Sequence, residues 1–252
     1  MNHLEGKVVL VTGASRGIGA SIARELSDRG ALVVAQYHSS AAGAEEATAS
    51  ASERLLVQAD FGRPDAAAEL WRDTLAWRGR VDAIVCNAAV MPQVDLDASD
   101  DDWNSAWESA LQVNTRAPSD LTRLATLHYL QSGGGIVVGL SSWAAQRGAG
   151  DSRLAAYAAS KAGYAAMVKT LARKYAADGV LAYLIAPGVV QTEMSEAAAA
   201  SAGGVEKFTA PLAMGEWVPP TEIATLVGVL CEGRLRHLTG ATLDVNGASY
   251  VR

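Results

Sequence analysis

The 252-residue chain is short of several things, and each shortage excludes something. Its two cysteines, Cys86 and Cys231, fall in a strand pattern and a helix pattern. Buried reduced thiols fit that placement better than a disulfide framework, a metal site or a nucleophile. The four histidines, His3, His38, His128 and His237, are scattered without metal-ligand spacing, so no metal is expected. No apolar run is long enough to span a membrane, and the short polar start, Met1 to Lys7, has no signal-peptide character. A cytoplasmic location with no membrane partner is the expectation. Cations are in deficit, with 21 Lys and Arg against 27 Asp and Glu and a net charge of −6. That balance opposes binding to nucleic acid. Internal repeats and linkers are missing too, so residues 1–252 read as one domain with a large core.

What is present alternates. Apolar strand candidates are Val8–Val11, Leu32–Gln36, Arg54–Ala59, Ala83–Cys86, Gly135–Leu140, Val180–Ala186 and Thr242–Val245. Between them run helical patterns from Ile18 to Arg29, Pro64–Ala76, Asp101–Gln131, Leu154–Ala177 and Pro220–Leu230, plus an Ala/Glu/Ser-rich surface helix within Gly43–Ser52. Asp100-Asp101-Asp102 reads as an acidic helix start. Such alternation predicts an α/β fold with a mostly parallel seven-stranded sheet and helices on both faces. Ligands of such folds bind beyond the carboxyl ends of the strands.

Two motifs carry chemistry. Thr12-Gly13-Ala14-Ser15-Arg16-Gly17-Ile18-Gly19 follows the first strand and opens a helix. A helix N-terminus with free amides and a positive dipole end favours bound phosphate. Gly13 allows the tight turn, Gly17 a close approach of backbone to pyrophosphate, and Gly19 close packing. The strand before and helix after make this the loop of a single-domain, doubly wound Rossmann fold. The second motif is Tyr157-Ala158-Ala159-Ser160-Lys161. Its Tyr and Lys share one helix face. A nearby ammonium favours the phenolate, which brings a phenol toward useful acid–base chemistry. Alone, the pair reads more readily as a half-buried Tyr beside a surface Lys, and the glycine motif upstream reverses that weighting.

With both motifs in place the chain resembles the short-chain dehydrogenase/reductase family over nearly its whole length. The resemblance implies that Asp60 contacts adenine, that Asn87-Ala88 is part of the family's Asn-Asn-Ala-Gly element, and that Asn114, Ser142, Tyr157 and Lys161 are catalytic. It implies that Pro187-Gly188, with Thr192 and Met194 after it, contacts the nicotinamide carboxamide. The expected cofactor contacts are Gly13, Ser15, Arg16, Gly17, Ile18, Gly19, His38, Ser39, Asp60, Phe61, Asn87, Ala88, Tyr157, Lys161, Pro187, Gly188, Val190 and Thr192. Three departures stand out: Cys86 for an Asn with Ala89 for a Gly, a longer loop containing Gly148 to Arg153, and Asn246-Gly247-Ala248 where Asp-Gly-Gly is common.

Strand two ends Ala35-Gln36-Tyr37-His38-Ser39-Ser40, with no carboxylate to repel a 2′-phosphate, and Arg16 could pair with one. NADP(H) is therefore the expected cofactor, and Gln36→Asp should shift preference toward NAD(H). In the expected reaction Tyr157 protonates the alkoxide of a reduced ketone. Lys161 lowers the tyrosine's pKa, Ser142 stabilises the carbonyl oxygen and Asn114 steadies Lys161 through a water. Residues 190–219 are expected to form a substrate lid. Trp143, Met194, Met214 and Trp217 would suit an apolar or cyclic ketone. Trp103 and Trp107 form a core or interface stripe. The pattern is most similar to 3-oxoacyl-(acyl-carrier-protein) reductase-like ketoreductases, although no Lys/Arg cluster marks a carrier-protein dock. A dehydrogenase of a sugar, polyol or secondary alcohol uses the same residues. A non-catalytic dinucleotide-binding protein is the third reading. A homotetramer or homodimer is expected from the small and apolar residues of the two long helical patterns.

Overall fold

In the computed structural model residues 4–251 are described; Met1 to His3 and Arg252 lie outside them. Seven strands, β1 (Val8–Val11), β2 (Leu32–Tyr37), β3 (Arg54–Gln58), β4 (Ala83–Cys86), β5 (Gly135–Leu140), β6 (Val180–Pro187) and β7 (Thr242–Val245), form one sheet in the order β3-β2-β1-β4-β5-β6-β7. All six pairings are parallel. Parallel strands need crossovers, and the helices supply them: α1 (Gly17–Asp28), α2 (Ala41–Ala47), α3 (Ala66–Arg78), α4 (Asp100–Leu111), α5 (Ala117–Ser132), α6 (Ala144–Arg147), α7 (Ala155–Tyr175), α8 (Glu193–Ser201), α9 (Val205–Thr209) and α10 (Pro220–Cys231).

Alternate residues of the central strands feed two cores. Val9, Val11, Val33, Val85, Val138 and Ile185 pack on one face against Ile22 and Leu26 of α1 and Ile223 and Val227 of α10. Leu10, Val34, Ile84, Val137 and Leu184 pack on the other against Leu70 of α3, Leu121 and Tyr129 of α5, and Tyr164 and Val168 of α7. Burial on both faces explains why the strands read as unbroken apolar runs. Cys86 and Cys231 are free and buried. The Cys86 sulfur lies 3.9 Å from the Thr122 hydroxyl, so this departure from the family is absorbed by packing. Burial pushes the Cys231 thiol up to about 12.

One element differs in kind from its expectation. The single helix expected over Asp101–Gln131 is split by a π-helical turn, Gln112–Arg116, between α4 and α5. Pro118, in the first turn of α5, has no N–H to offer the Asn114 carbonyl four residues back. A widened turn accommodates that loss without ending the helix. The acidic helix start holds, with the Ser99 hydroxyl accepting from the Asp102 amide at 3.2 Å. No helix among the described residues is long and apolar enough to cross a membrane, and no cluster of metal-ligating side chains is found among them.

Candidate active site

The chain leaves β1 at its carboxyl end through Thr12 and enters α1 at Gly17. Gly13 (φ +66°) and Gly17 (φ +55°) take the left-handed conformation. A Cβ on Gly19 would lie 2.0 Å from the Gly13 carbonyl oxygen, so this position admits glycine alone. The loop is pinned by side chains from neighbouring strands. The Gly13 amide donates to Gln36 Oε1 at 2.8 Å, while Gln36 Nε2 donates to the Ala59 carbonyl at 2.7 Å. Asn87 Nδ2 donates to the Thr12 and Gly13 carbonyls at 2.9 and 3.2 Å. The Thr12 hydroxyl accepts from the Asn87 and Ala88 amides at 2.9 and 3.1 Å. The clamping roles of Thr12 and Gln36 are not foreseen from sequence; a polar residue ending a buried strand is the available signal.

This loop fits a dinucleotide phosphate. Arg16, at the N-cap of α1, makes no side-chain cap, and the first turn holds no acid. The helix thus presents its positive end without a resident anion. Arg16 itself is not idle: its guanidinium pairs with Glu193 of α8 at 2.8 Å, both groups well exposed. The partner of Arg16 within the chain is thus a carboxylate of α8.

The remaining expected contacts lie around the same edge. Ile18 packs into the core beneath the loop. The Ser15 carbonyl comes close to Gly43, where a Cβ would lie 2.3 Å from it. His38 and Ser39 follow β2 and are exposed. His38 Nε2 is 3.8 Å from an Asp60 oxygen, and the Asp60 carboxylate accepts from the Gly62 amide at 2.9 Å. Phe61 is buried, its carbonyl accepting from Gln112 at 3.1 Å. Pro187 ends β6. Gly188 is pressed against Asn246, Val190 bridges to Val218, and Thr192 caps α8 beside Gly17.

The acid–base residues converge at the carboxyl end of β5. Ser142 is buried just beyond that strand, and its hydroxyl accepts from the Ala144 amide at 3.1 Å. The Tyr157 phenol, in the first turn of α7, lies near Ser142, which acts to lower its pKa. Lys161 is one turn further along, 4 % exposed, with its ammonium donating to the Leu140 carbonyl at 2.8 Å. The expectation that the Tyr157 pKa is lowered is corrected here: burial raises it, and the nearby Ser142 offsets that rise only in part. Burial lowers the Lys161 pKa to about 8.

The Asn114 side chain is fully engaged rather than turned to Lys161. It accepts from the Val90 amide and donates to the Val90 carbonyl, each at 2.8 Å, and donates to the Ser160 hydroxyl at 3.0 Å. Ser160 in turn donates to the Tyr157 carbonyl at 2.7 Å. This fully buried serine, not foreseen from sequence, couples the π-helical turn to the helix bearing Tyr157.

Over the site, Ala199, Leu212 and Trp217 form a small apolar cluster with Trp143, Val189 and Phe208 around it. Met194 and Met214 are largely exposed instead. Trp103 and Trp107 stack on α4, half-buried, with ring centres 5.7 Å apart. A shallow cleft lined by Lys7, Asp82 and Arg236 lies at the opposite edge of the sheet and holds no acid–base pair of this kind.

A phosphate-ready glycine turn facing a Ser/Tyr/Lys constellation across one sheet edge defines a dinucleotide-dependent oxidoreductase. A family profile described as enoyl-(acyl carrier protein) reductase matches residues 13–248. The chain belongs to the short-chain dehydrogenase/reductase family. It is 29% identical over 249 residues to the 3-oxoacyl-[acyl-carrier-protein] reductase FabG of Staphylococcus epidermidis, covering 97% of this chain and 99% of that one. A structure assigned to an NAD(P)-dependent gluconate 5-dehydrogenase of Beutenbergia cavernae, with NADP at low occupancy, superposes with TM-score 0.88 at 29% identity, covering 98% and 97% of the two chains. The 3-ketoacyl-(acyl-carrier-protein) reductase of Brucella melitensis, complexed with NADH, gives TM-score 0.86 at 27% identity, covering 98% and 100%.

Proposed function

We propose that this protein reduces a ketone with NADP(H). The observation that carries the reading is the gathering of buried Ser142, the Tyr157 phenol and buried Lys161 at the carboxyl end of β5, on the sheet edge that bears the glycine loop. The dinucleotide, when bound, supplies the hydride. Gly13 to Gly19 would hold its pyrophosphate, His38, Ser39 and Arg16 its 2′-phosphate, Asp60 and Phe61 its adenine end, and Asn87, Ala88, Pro187, Gly188, Val190 and Thr192 the nicotinamide half. Ser142 orients and polarises the carbonyl oxygen, and Tyr157 gives it a proton. Lys161 would hold the ribose of the dinucleotide and offer its positive charge to the phenolate left behind. Asn114 holds the Val90 backbone in the loop after β4 and, through Ser160, the Tyr157 backbone. Residues 190–219 act as a lid whose apolar underside, with Trp143 and Trp217, suits an apolar or cyclic ketone or a 3-oxoacyl chain. A homotetramer or homodimer in the cytoplasm completes the reading, and light scattering that finds only monomer would refute the assembly.

A sugar or polyol dehydrogenase is the second reading, favoured by the likeness to the gluconate 5-dehydrogenase structure. The two separate on initial rates: NADPH with an acyl-thioester ketone, a cyclic ketone, a diketone and a quinone, against NAD⁺ and NADP⁺ with alcohols and sugars. Turnover only in the oxidative set would replace the first reading by the second.

Two further results are expected. First, if the Lys161 ammonium serves the reaction, kcat/KM for reduction falls as pH rises above about 8, because the free enzyme then loses that charge. A flat profile to pH 9.5 would count against its role. Second, Gln36→Asp should lower the NADPH/NADH preference and weaken both cofactors. The shorter carboxylate cannot donate to the Ala59 carbonyl and releases the Gly13 clamp, a loss of about 1–3 kcal/mol. Titration of each cofactor into the variant checks this; an unchanged preference with unchanged affinities would overturn it.

A further inference from the structure

Arg147 closes the short helix α6, five residues beyond Ser142. Its guanidinium lies 4.0 Å from the centre of the Trp143 ring and 5.9 Å from that of Tyr250. Among the described residues no carboxylate pairs with it, although Arg153, on the same loop, is held by both oxygens of Asp151. The other arginines without a described ion pair are Arg72, Arg123, Arg173 and Arg236. They lie on α3, on α5, at the far end of α7 and at the opposite sheet edge. Arg147 is therefore the unpaired guanidinium beside the acid–base residues.

Its setting matters as much as its charge. Trp143 is also the ring on which the apolar cluster of Ala199, Leu212 and Trp217 rests. A guanidinium stacked on a ring spends its face on that contact and keeps its N–H edge open for a planar oxyanion. Residues 190–219 contain four glutamates and one cation, Lys207, whose chain folds across Gly203. We propose that Arg147 is a specificity residue that recognises an oxyanion on the substrate, a carboxylate or a phosphate, at the end remote from the carbonyl. This deepens the ketoreductase reading and rests on it for the reacting group.

Two matched pairs of ketones test it: 4-oxocyclohexanecarboxylate with its methyl ester, and acetoacetyl-phosphopantetheine with acetoacetyl-N-acetylcysteamine. Each is titrated into the NADPH-bound enzyme by tryptophan fluorescence and assayed for NADPH oxidation. The wild type is expected to favour the anionic member of at least one pair by tenfold or more. Arg147→Gln should erase that preference through KM or Kd, with kcat on the neutral ketones within about twofold. Lys207→Gln should keep it. Preference in the first pair alone identifies a compact keto acid; in the second alone, a phosphopantetheine-borne ketone. No preference in either pair, a preference that survives in Arg147→Gln, or an equal loss on the neutral ketones would overturn the proposal. Anion-selective binding without turnover would support Arg147 while sinking the reductase reading.

Discussion

Tyr157→Phe is expected to lower kcat for ketone reduction by about 10²–10⁴-fold while NADPH affinity stays within about twofold. The substitution removes one oxygen and leaves the ring. The Ser142 hydroxyl is held by the Ala144 amide, so the serine keeps its place when the phenol oxygen goes. Ser160 bonds the Tyr157 carbonyl, which the variant retains. The loss is thus confined to proton transfer. The check is single-turnover NADPH oxidation beside a fluorescence titration of NADPH. Residual kcat above about a tenth of wild type would mean that another group delivers the proton.

Gly19→Ala should abolish measurable cofactor binding and destabilise the fold by about 1–3 kcal/mol or more. The added methyl would sit 2.0 Å from the Gly13 oxygen and 2.5 Å from Asn87 Nδ2. Neither can give way cheaply. The oxygen belongs to backbone whose own amide is clamped by Gln36, and the Asn87 amide is committed to two carbonyls. Relief requires moving the whole phosphate-binding turn. Thermal unfolding with and without NADPH measures both effects; wild-type melting and an intact NADPH-induced shift would contradict the geometry. An alanine at Gly79, whose Cβ meets nothing, is the control for the methyl itself, at the strain cost of its left-handed φ.

The sheet was legible because its strands are buried on both sides. Val8–Val11, Ala83–Cys86, Gly135–Leu140 and Thr242–Val245 appear with the bounds their composition suggests. The glycine turn and the Tyr/Lys spacing were legible because each needs particular residues at fixed offsets. The π-helical turn was not, since one extra residue in a turn hardly disturbs a helical period over a long stretch. Nor was the clamp on Gly13, because a lone Gln at a strand end is indistinguishable from a surface Gln until its neighbours are known. The Arg16–Glu193 pair joins positions 177 residues apart, and charge patterning along the chain cannot register that. The orientation of Lys161 toward Leu140 depends on where a strand carbonyl ends up, which side-chain chemistry does not encode. The substrate was illegible for a related reason: the apolar cluster over the site is assembled from α6, the segment after β6 and the stretch before α10.

The two ends of that stretch are fastened differently. Near its beginning, Glu193 reaches Arg16 through exposed charges. Near its far end, the Ala213 amide donates to the Ser249 hydroxyl at 3.1 Å and Met214 lies against Gly247. Asn246 ties the same turn to both the amide and the carbonyl of Tyr250, around Ala248 at φ +58°. For anyone building chimeras in this family, the covering segment and the residues from Asn246 to Tyr250 are one exchangeable module. Grafting a new segment onto a foreign tail would leave its anchor facing side chains that it was never fitted to.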